Sequence, residues 1–331
     1  MTNKPTLKIY KDRDADLKHL RGIPIAIIGY GSQGRAQALN LRDSGLQIII
    51  GLPKKSNSIK TARKDGFEVY PSDEAVKLGE IISVLAPDHQ HKKIYNEHMK
   101  KNLSAGKTLL FACGFSIHFR LVLPPKDVDV IMVAPHAPGE MMRKFFLEKK
   151  GVPCFFAVQQ NYSGKGKKKA LAYAKAIGCT KAGAIQTTFR DEAIGDLFGE
   201  QAVLCGGLTE LLKVGFEVLV ESGLSPENAY LECVHQLDFI VDTIKSHGIA
   251  GMFDRISKTA EYGSYQAGKR VIDDRVRKEM EKILKEIEDG SFVKTWMKEC
   301  ETGMKNYLKM KRMTSKHPIE RTSKRIRDLM K

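Results

Sequence analysis

The sequence contains no apolar run of 18 residues, short of the roughly 20 that a membrane-spanning helix needs, so no membrane partner is expected. Its six cysteines, Cys113, Cys154, Cys179, Cys205, Cys233 and Cys300, stand singly. No C-x-x-C pair occurs, which disfavours a zinc ribbon or a disulfide framework. No repeat period of about 20 to 50 residues is visible, so solenoids and propellers are poor fits. Residues 1–8 are polar and lack an apolar signal core. A reducing cytoplasm is the expected location. Acids are scarce: 39 Asp and Glu face 55 Lys and Arg, a formal charge of +16 with a pI near 9.4. Half of that excess lies in residues 305–331, where ten basic residues meet two acids, Glu320 and Asp328, a net of +8. Such a stretch raises the question of nucleic acid, but this one has no reading motif and a single aromatic, Tyr307. A solvated, partly helical tail is expected, with no nucleic-acid partner. A second basic run, residues 165–169, follows Ser163-Gly164 and reads as an exposed helix start.

What is present is a chain of 331 residues, 42% hydrophobic, enough for one large or two ordinary domains. Residues 23–28 read Ile-Pro-Ile-Ala-Ile-Ile, a short apolar run that suits a buried parallel strand. Further runs fall at 46–52, 81–85, 108–112, 128–134 and 153–158, with helical stretches between several of them. Strand alternating with helix implies an α/β fold, a doubly wound parallel sheet with helices on both faces. From about residue 185 the strand-like runs stop. Residues 198–222, 226–246, 262–266 and 273–289 read as helices, and Ser225-Pro226 supplies a cap followed by proline at the first helical position. The expected organisation is a sheet domain over 1–185, an all-helical domain over 186–305 and a basic tail over 306–331.

Gly29-Tyr30-Gly31-Ser32-Gln33-Gly34 follows the first strand directly and opens a helix. G-x-G-x-x-G in that context marks a dinucleotide site. The first glycine makes the turn, the second admits the pyrophosphate and the third lets helix and strand pack closely. The helix N-terminus then faces the phosphates with free N–H groups. At the end of the second strand an NAD site usually carries an acid for the ribose hydroxyls. This chain has Lys54, Lys55, Ser56 and Ser58 there and no carboxylate. Such a loop would accept a 2′-phosphate, so NADP is the expected cofactor. In the second half, Asp196 and Glu200 are four apart, as are Glu232 and Gln236, which places each pair on one helix face. Carboxylates on facing helices can hold a hard cation such as Mg²⁺. Taken alone, such pairs are also common on solvated helices.

Together these residues resemble ketol-acid reductoisomerase in its short form, an enzyme of branched-chain amino-acid biosynthesis. The resemblance covers nearly the whole chain. It includes Ile28-Gly29-Tyr30-Gly31-Ser32-Gln33-Gly34, Gly66-Phe67-Glu68-Val69-Tyr70, Met132-Val133-Ala134-Pro135, the run from Asp196-Leu197-Phe198-Gly199-Glu200 through Gly206-Gly207, and Thr259-Ala260-Glu261-Tyr262-Gly263. It implies a Rossmann domain followed by a helical domain interlocked with a second copy, hence a homodimer or a multiple of it. It implies two Mg²⁺ ions that drive alkyl migration in a 2-hydroxy-2-acyl acid such as 2-acetolactate, and NADPH that reduces the resulting ketone to a 2,3-dihydroxy acid. By position, Asp196 would bridge the metals, Glu200 would serve one of them, Glu232 would come from the partner chain, and Ser257 would bind the substrate carboxylate.

Three positions depart from the family pattern, all in the implied active site. Cys113 stands where the family has His, His136 where it has Lys, and Gln236 where it has a second Glu. Losing the lysine removes a permanent charge, since imidazole is mostly neutral near pH 7. Losing the glutamate lowers the metal site from four carboxylates to three. Both changes weaken the field that polarises the substrate oxygens. The expectation is an oxidoreductase with altered or weakened isomeroreductase activity. Its expected catalytic residues are Cys113, His136 and Ser257, its metal ligands Asp196, Glu200, Glu232 and Gln236, and softer divalent metals compete with Mg²⁺. The alternatives are a reductase of another 2-keto acid without isomerisation and a non-catalytic NADP-binding homologue.

Overall fold

The structure is a computed structural model and describes residues 7–330. Nine strands form one sheet: β1 (Ile9–Tyr10), β2 (Ile25–Ile28), β3 (Ile48–Leu52), β4 (Val69–Pro71), β5 (Ile81–Val84), β6 (Thr108–Phe111), β7 (Asp129–Pro135), β8 (Cys154–Gln160) and β9 (Ala184–Gln186). Their spatial order is β1-β9-β8-β7-β6-β5-β2-β3-β4. β2 to β7 run parallel; β8 turns back antiparallel on β7, and β1 pairs antiparallel with β9. The chain winds outward from β2 in one direction through β3 and β4, and in the other through β5, β6 and β7. The order therefore reverses between β2 and β5, and in doubly wound sheets the crevice at such a point takes the ligand.

Between the strands lie α1 (Ser32–Asp43), α2 (Ser58–Lys64), α3 (Ser72–Leu78), α4 (His91–Ile94), α5 (Phe115–His118), α6 (Gly139–Leu147), α7 (Gly166–Ala176) and α8 (Cys179–Ala182). Alternate strand residues face opposite ways. Ile25, Ile27, Leu110, Ile131 and Val133 join one core, and Ala26, Ile28, Leu109, Val130 and Met132 join the other. Each buried aliphatic side chain contributes roughly 1.5–3 kcal/mol. The two-sided burial explains why these strands read as continuous apolar runs.

The basic run at 165–169 opens α7 as an exposed start at Lys165, Lys167 and Lys168, with one exception. Lys169 turns inward on α7, 9% exposed, and its Nζ donates to Asp129 Oδ2 at 2.9 Å and to Thr108 Oγ1 at 2.7 Å. Lys167 donates to the Tyr10 hydroxyl at 2.7 Å. Lys169 thus lies on the helix face turned to the sheet, while Lys167 stays exposed at its contact with Tyr10.

The chain divides into two compact units between Ala193 and Ile194. The division falls later than residue 185 because the first turn of α9 (Phe189–Phe198) still belongs to the sheet: Phe189 is 2% exposed in the second core. The second unit is helical throughout, with α10 (Gly206–Glu221), α11 (Pro226–Tyr230), α12 (Leu237–Phe253), α13 (Lys258–Val271), α14 (Asp274–Glu288), α15 (Ser291–Glu301), α16 (Lys305–Lys316) and α17 (Pro318–Leu329). Ser225 Oγ caps α11 by accepting from the Asn228 amide at 3.2 Å, with Pro226 at the first position. The long helices read from the sequence are broken by wide π-helical stretches, Gly199–Leu204 and Leu231–His235. The basic C-terminal stretch is only partly a solvated tail. α16 is exposed along its whole length, but α17 buries Ile319 and Ile326 and pairs Arg325 with Glu227 at 2.7 Å. No helix among the described residues is long and apolar enough to cross a membrane.

Candidate functional site

The turn after β2 shows three different demands on its three glycines. Gly29 has φ +105°, and a Cβ there would lie 2.6 Å from the Ala86 amide nitrogen. A Cβ on Gly34 would press into the Gly29 carbonyl oxygen, so α1 can approach β2 only with glycine at this position. Gly31 faces open space, leaving its backbone accessible. Ser32 and Gln33 form the first turn of α1, where unsatisfied N–H groups point outward.

Tyr30 is a packing residue as well as a turn residue. Its ring meets Phe67 edge-on and its hydroxyl donates to Asp65 Oδ2 at 2.8 Å. Burial and the Asp65 carboxylate both push the Tyr30 phenol far above its usual pKa. Asp65 in turn accepts from Arg35 Nε at 2.6 Å and Nη2 at 2.9 Å, and this pairing holds its own pKa below the usual range. The glycine turn is thus fastened to the loop before β4.

Parallel strands bring the other loops to the same carboxyl edge. After β3, Lys54 and Lys55 are exposed, and Ser56 Oγ accepts from the Ser58 amide at 3.3 Å as α2 begins. After β7, His136 is exposed with its ring 4.3 Å from that of Phe155, centroid to centroid. Gln33 Nε2 donates to the Ala137 carbonyl at 2.8 Å, and Gly139 lies so close to Ser32 that no Cβ would fit. These contacts clamp the His136 loop against the start of α1. After β6, half-buried Cys113 precedes Gly114, whose amide donates to the buried Glu192 carboxylate and whose Cα packs on the Phe189 carbonyl. The structure therefore brings the glycine turn, the lysine loop, Cys113 and His136 to one edge of one sheet.

The helical unit holds the other predicted residues. Asp196 and Glu200 are exposed, near the end of α9 and in the π-helical stretch that follows. Glu232 lies in the second π-helical stretch, and Gln236 Nε2 donates to Glu232 Oε2 at 3.1 Å. π-turns inside helices frequently occur at functional sites. Ser257 caps α13, its Oγ accepting from the Ala260 amide at 3.1 Å. Hard carboxylate oxygens of this kind suit Mg²⁺. Yet among the described residues no three His, Cys, Asp or Glu side chains gather into a metal-holding group. One chain provides the donors in separate pairs.

Sequence reading missed several supporting residues. Glu192 bonds to Gly114 across 78 positions, and Asp65 bonds to Tyr30 across 35. A buried chain links Ser83, Tyr173, Gln37 and Gln33 beneath the turn, with hydroxyl and amide contacts of 2.8–3.0 Å. Only Gln33 and Gln37, four apart on α1, hint at this network.

A doubly wound sheet with a glycine turn at its switch point, followed by a helical unit bearing carboxylates, defines a two-domain dinucleotide-dependent oxidoreductase. The chain matches the family model for the acetohydroxy acid isomeroreductase NADPH-binding domain over residues 19–183, and that for the ketol-acid reductoisomerase C-terminal domain over residues 189–331. It is 45% identical to the NADH-preferring ketol-acid reductoisomerase from an uncultured archean, with a TM-score of 0.94, covering 97% of this chain and 99% of that one. The protein belongs to the ketol-acid reductoisomerase family. Two more distant structures share the fold alone. The semialdehyde dehydrogenase NAD-binding protein from Cupriavidus necator is 18% identical, with a TM-score of 0.62 over 80% of this chain and 98% of that one. The pyrroline carboxylate reductase from Plasmodium falciparum is 18% identical, with a TM-score of 0.52 over 82% and 98%.

Proposed function

We propose that this member of the family converts 2-hydroxy-2-acyl acids of the 2-acetolactate type to 2,3-dihydroxy acids with NADPH and a divalent metal, and does so weakly. The observation that carries this reading is the clamping of the His136 loop against the first turn of α1. In this reading an imidazole, where the family has lysine, would lie beside the nicotinamide end of a bound dinucleotide. Asp196 and Glu200, with Glu232 from a second copy, would hold the metal, which when bound supplies a Lewis acid toward the substrate oxygens. Gln236 adds no negative charge to that set; its amide donates to Glu232 and holds that carboxylate in place. His136 supplies no permanent positive charge for the developing oxyanion.

Restoring the family residues tests the reading. Wild type should turn over 2-acetolactate with NADPH and Mg²⁺ slower than the triple variant Cys113→His, His136→Lys, Gln236→Glu by roughly 10² or more, the usual scale for one lost catalytic group. Single reversions should recover little, because such groups act as a unit. A wild-type kcat of about 1 s⁻¹ or above would overturn the weakened-activity reading. The same assay run on a panel of 2-keto acids addresses the second reading, reduction without isomerisation. That reading is favoured by an unaltered glycine turn alongside an altered set of metal donors.

The coenzyme choice rests on Lys54, Lys55, Ser56 and Ser58. Family membership does not settle it, since the 45% identical relative prefers NADH. Charge-assisted contacts to a phosphate contribute about 1.5–3 kcal/mol, so NADPH should bind at least about tenfold tighter than NADH. Lys54→Ala with Lys55→Ala should abolish the difference. Equal or tighter NADH binding by the wild type would remove the basis for NADP.

A further inference from the structure

A cleft of about 470 Å³ opens on the sheet unit beside α5, and none of the cofactor, metal or substrate residues lines it. Arg120, Arg190 and His118 line it together with the apolar residues Ile117, Leu123 and Phe189. It is thus cationic at some points and apolar along others. The permanent charge is that of the two arginines, because burial and the neighbouring Arg190 both push His118 toward its neutral form. Arg190 also makes an exposed pair with Asp191 at 3.1 Å.

Arg120 carries an independent sign of use. It is one of three described non-glycine residues with positive φ, at +56°, and the only one of the three that lines this cleft. Its amide donates to the Ile117 carbonyl at 3.1 Å, and the Leu121 amide donates to the Ser116 carbonyl at 2.9 Å. That pair of bonds is the Schellman ending of a helix, and its left-handed position normally holds glycine. A long cationic side chain occupies a backbone position that disfavours any side chain. Strain of this kind persists where the side chain serves a purpose.

We propose that this cleft binds a small organic acid, with its carboxylate between Arg120 and Arg190 and its apolar body on Ile117 and Leu123. Arginine forks match a carboxylate in two-point contact, and the apolar wall excludes a fully hydrated ion. The site is separate from the cofactor turn and requires neither dinucleotide nor metal, so its test stands apart from the reductoisomerase reading.

The experiment uses the full chain with a chelator present and no dinucleotide, titrated with 3-methylbutanoate and, separately, with inorganic phosphate. Calorimetry and thermal melting should show saturable binding of 3-methylbutanoate to the wild type and at least tenfold weaker binding of phosphate. Arg120→Gly should melt about 2 °C or more above the wild type, since glycine suits the left-handed position, yet lose the carboxylate-dependent shift. Arg190→Gln should lose the shift without the rise in melting temperature. Failure of the wild type to bind, or equal binding by Arg120→Gly, would overturn the site. Phosphate binding as tight as that of the carboxylate would overturn the organic-acid assignment, and an Arg120→Gly variant melting below wild type would overturn the strain argument.

Discussion

At the residue scale, the cofactor turn depends on a carboxylate whose role is to hold the turn's own side chains. Asp65 holds Tyr30 and Arg35, and its pKa is lowered first by the Arg35 contact and also by the Tyr30 hydroxyl. A lowered folded-state pKa contributes stability above the unfolded value, near pH 4, which is lost as pH falls through the folded value. Asp65→Asn removes the charge at every pH. The variant should therefore lose about 1–2 kcal/mol at pH 7. Its denaturation midpoint should also depend less on pH between about 5 and 3 than that of the wild type. Chemical denaturation at several pH values measures both. Identical pH slopes would mean that Asp65 does not carry the linkage. Asp65 was not legible in the sequence, because nothing in Lys64-Asp65-Gly66 distinguishes a turn aspartate from a partner of a tyrosine 35 positions earlier. The glycines were legible, since their constraint comes from backbone geometry and needs no distant partner.

At the scale of elements, a buried ammonium takes the place of a missing helix cap. The Lys107 Nζ, just before β6, donates to the carbonyls of Val76, Lys77 and Gly79 at 2.7, 2.8 and 2.7 Å, satisfying the end of α3. Burial lowers the Lys107 pKa, and the three carbonyls satisfy its N–H groups. Lys107→Met should leave these carbonyls without their donor and cost about 2–4 kcal/mol, read as a fall in the urea midpoint at unchanged m-value. A loss below about 0.5 kcal/mol would mean that water replaces the ammonium. Element type was mostly legible: the six apolar runs correspond to β2, β3, β5, β6, β7 and β8. β4 went unread because Val69-Tyr70-Pro71 is too short to show a period. β1 and β9 went unread because their pairing joins Ile9 to Ile185, a match that no local pattern reveals. The π-helical stretches were equally hidden, since a four-residue spacing looks the same whether the turn is α or π.

At the scale of the whole molecule, the helical unit leaves too much apolar surface in water. Leu204, Val214, Val218, Phe239, Ile249 and Tyr262 are each more than half exposed, the last at 69%. Beside Glu200, the buried Gln201 Nε2 has no hydrogen-bond partner in one chain, and buried polar groups are rarely left so. Exposed apolar surface on this scale marks interaction surfaces. Light scattering at micromolar concentration should give twice 37.1 kDa or a multiple of it. A stable monomer that binds no dye for exposed apolar surface would contradict an obligate dimer. The π-helical stretches have a consequence for ancestry and for deletion. Each holds one residue more per turn than the α-helix around it, as an insertion would leave behind. Removing one residue from Gly199–Leu204 would restore α winding locally and leave α10 close to its present phase, because the wide turn absorbs the extra residue. The apolar stripe of α10 would keep its direction, while Glu200 would lose the wide turn that presents it. Side-chain placement at the two carboxylate-bearing turns is therefore set by one extra residue in each, and a single-codon deletion there would separate ligand geometry from assembly.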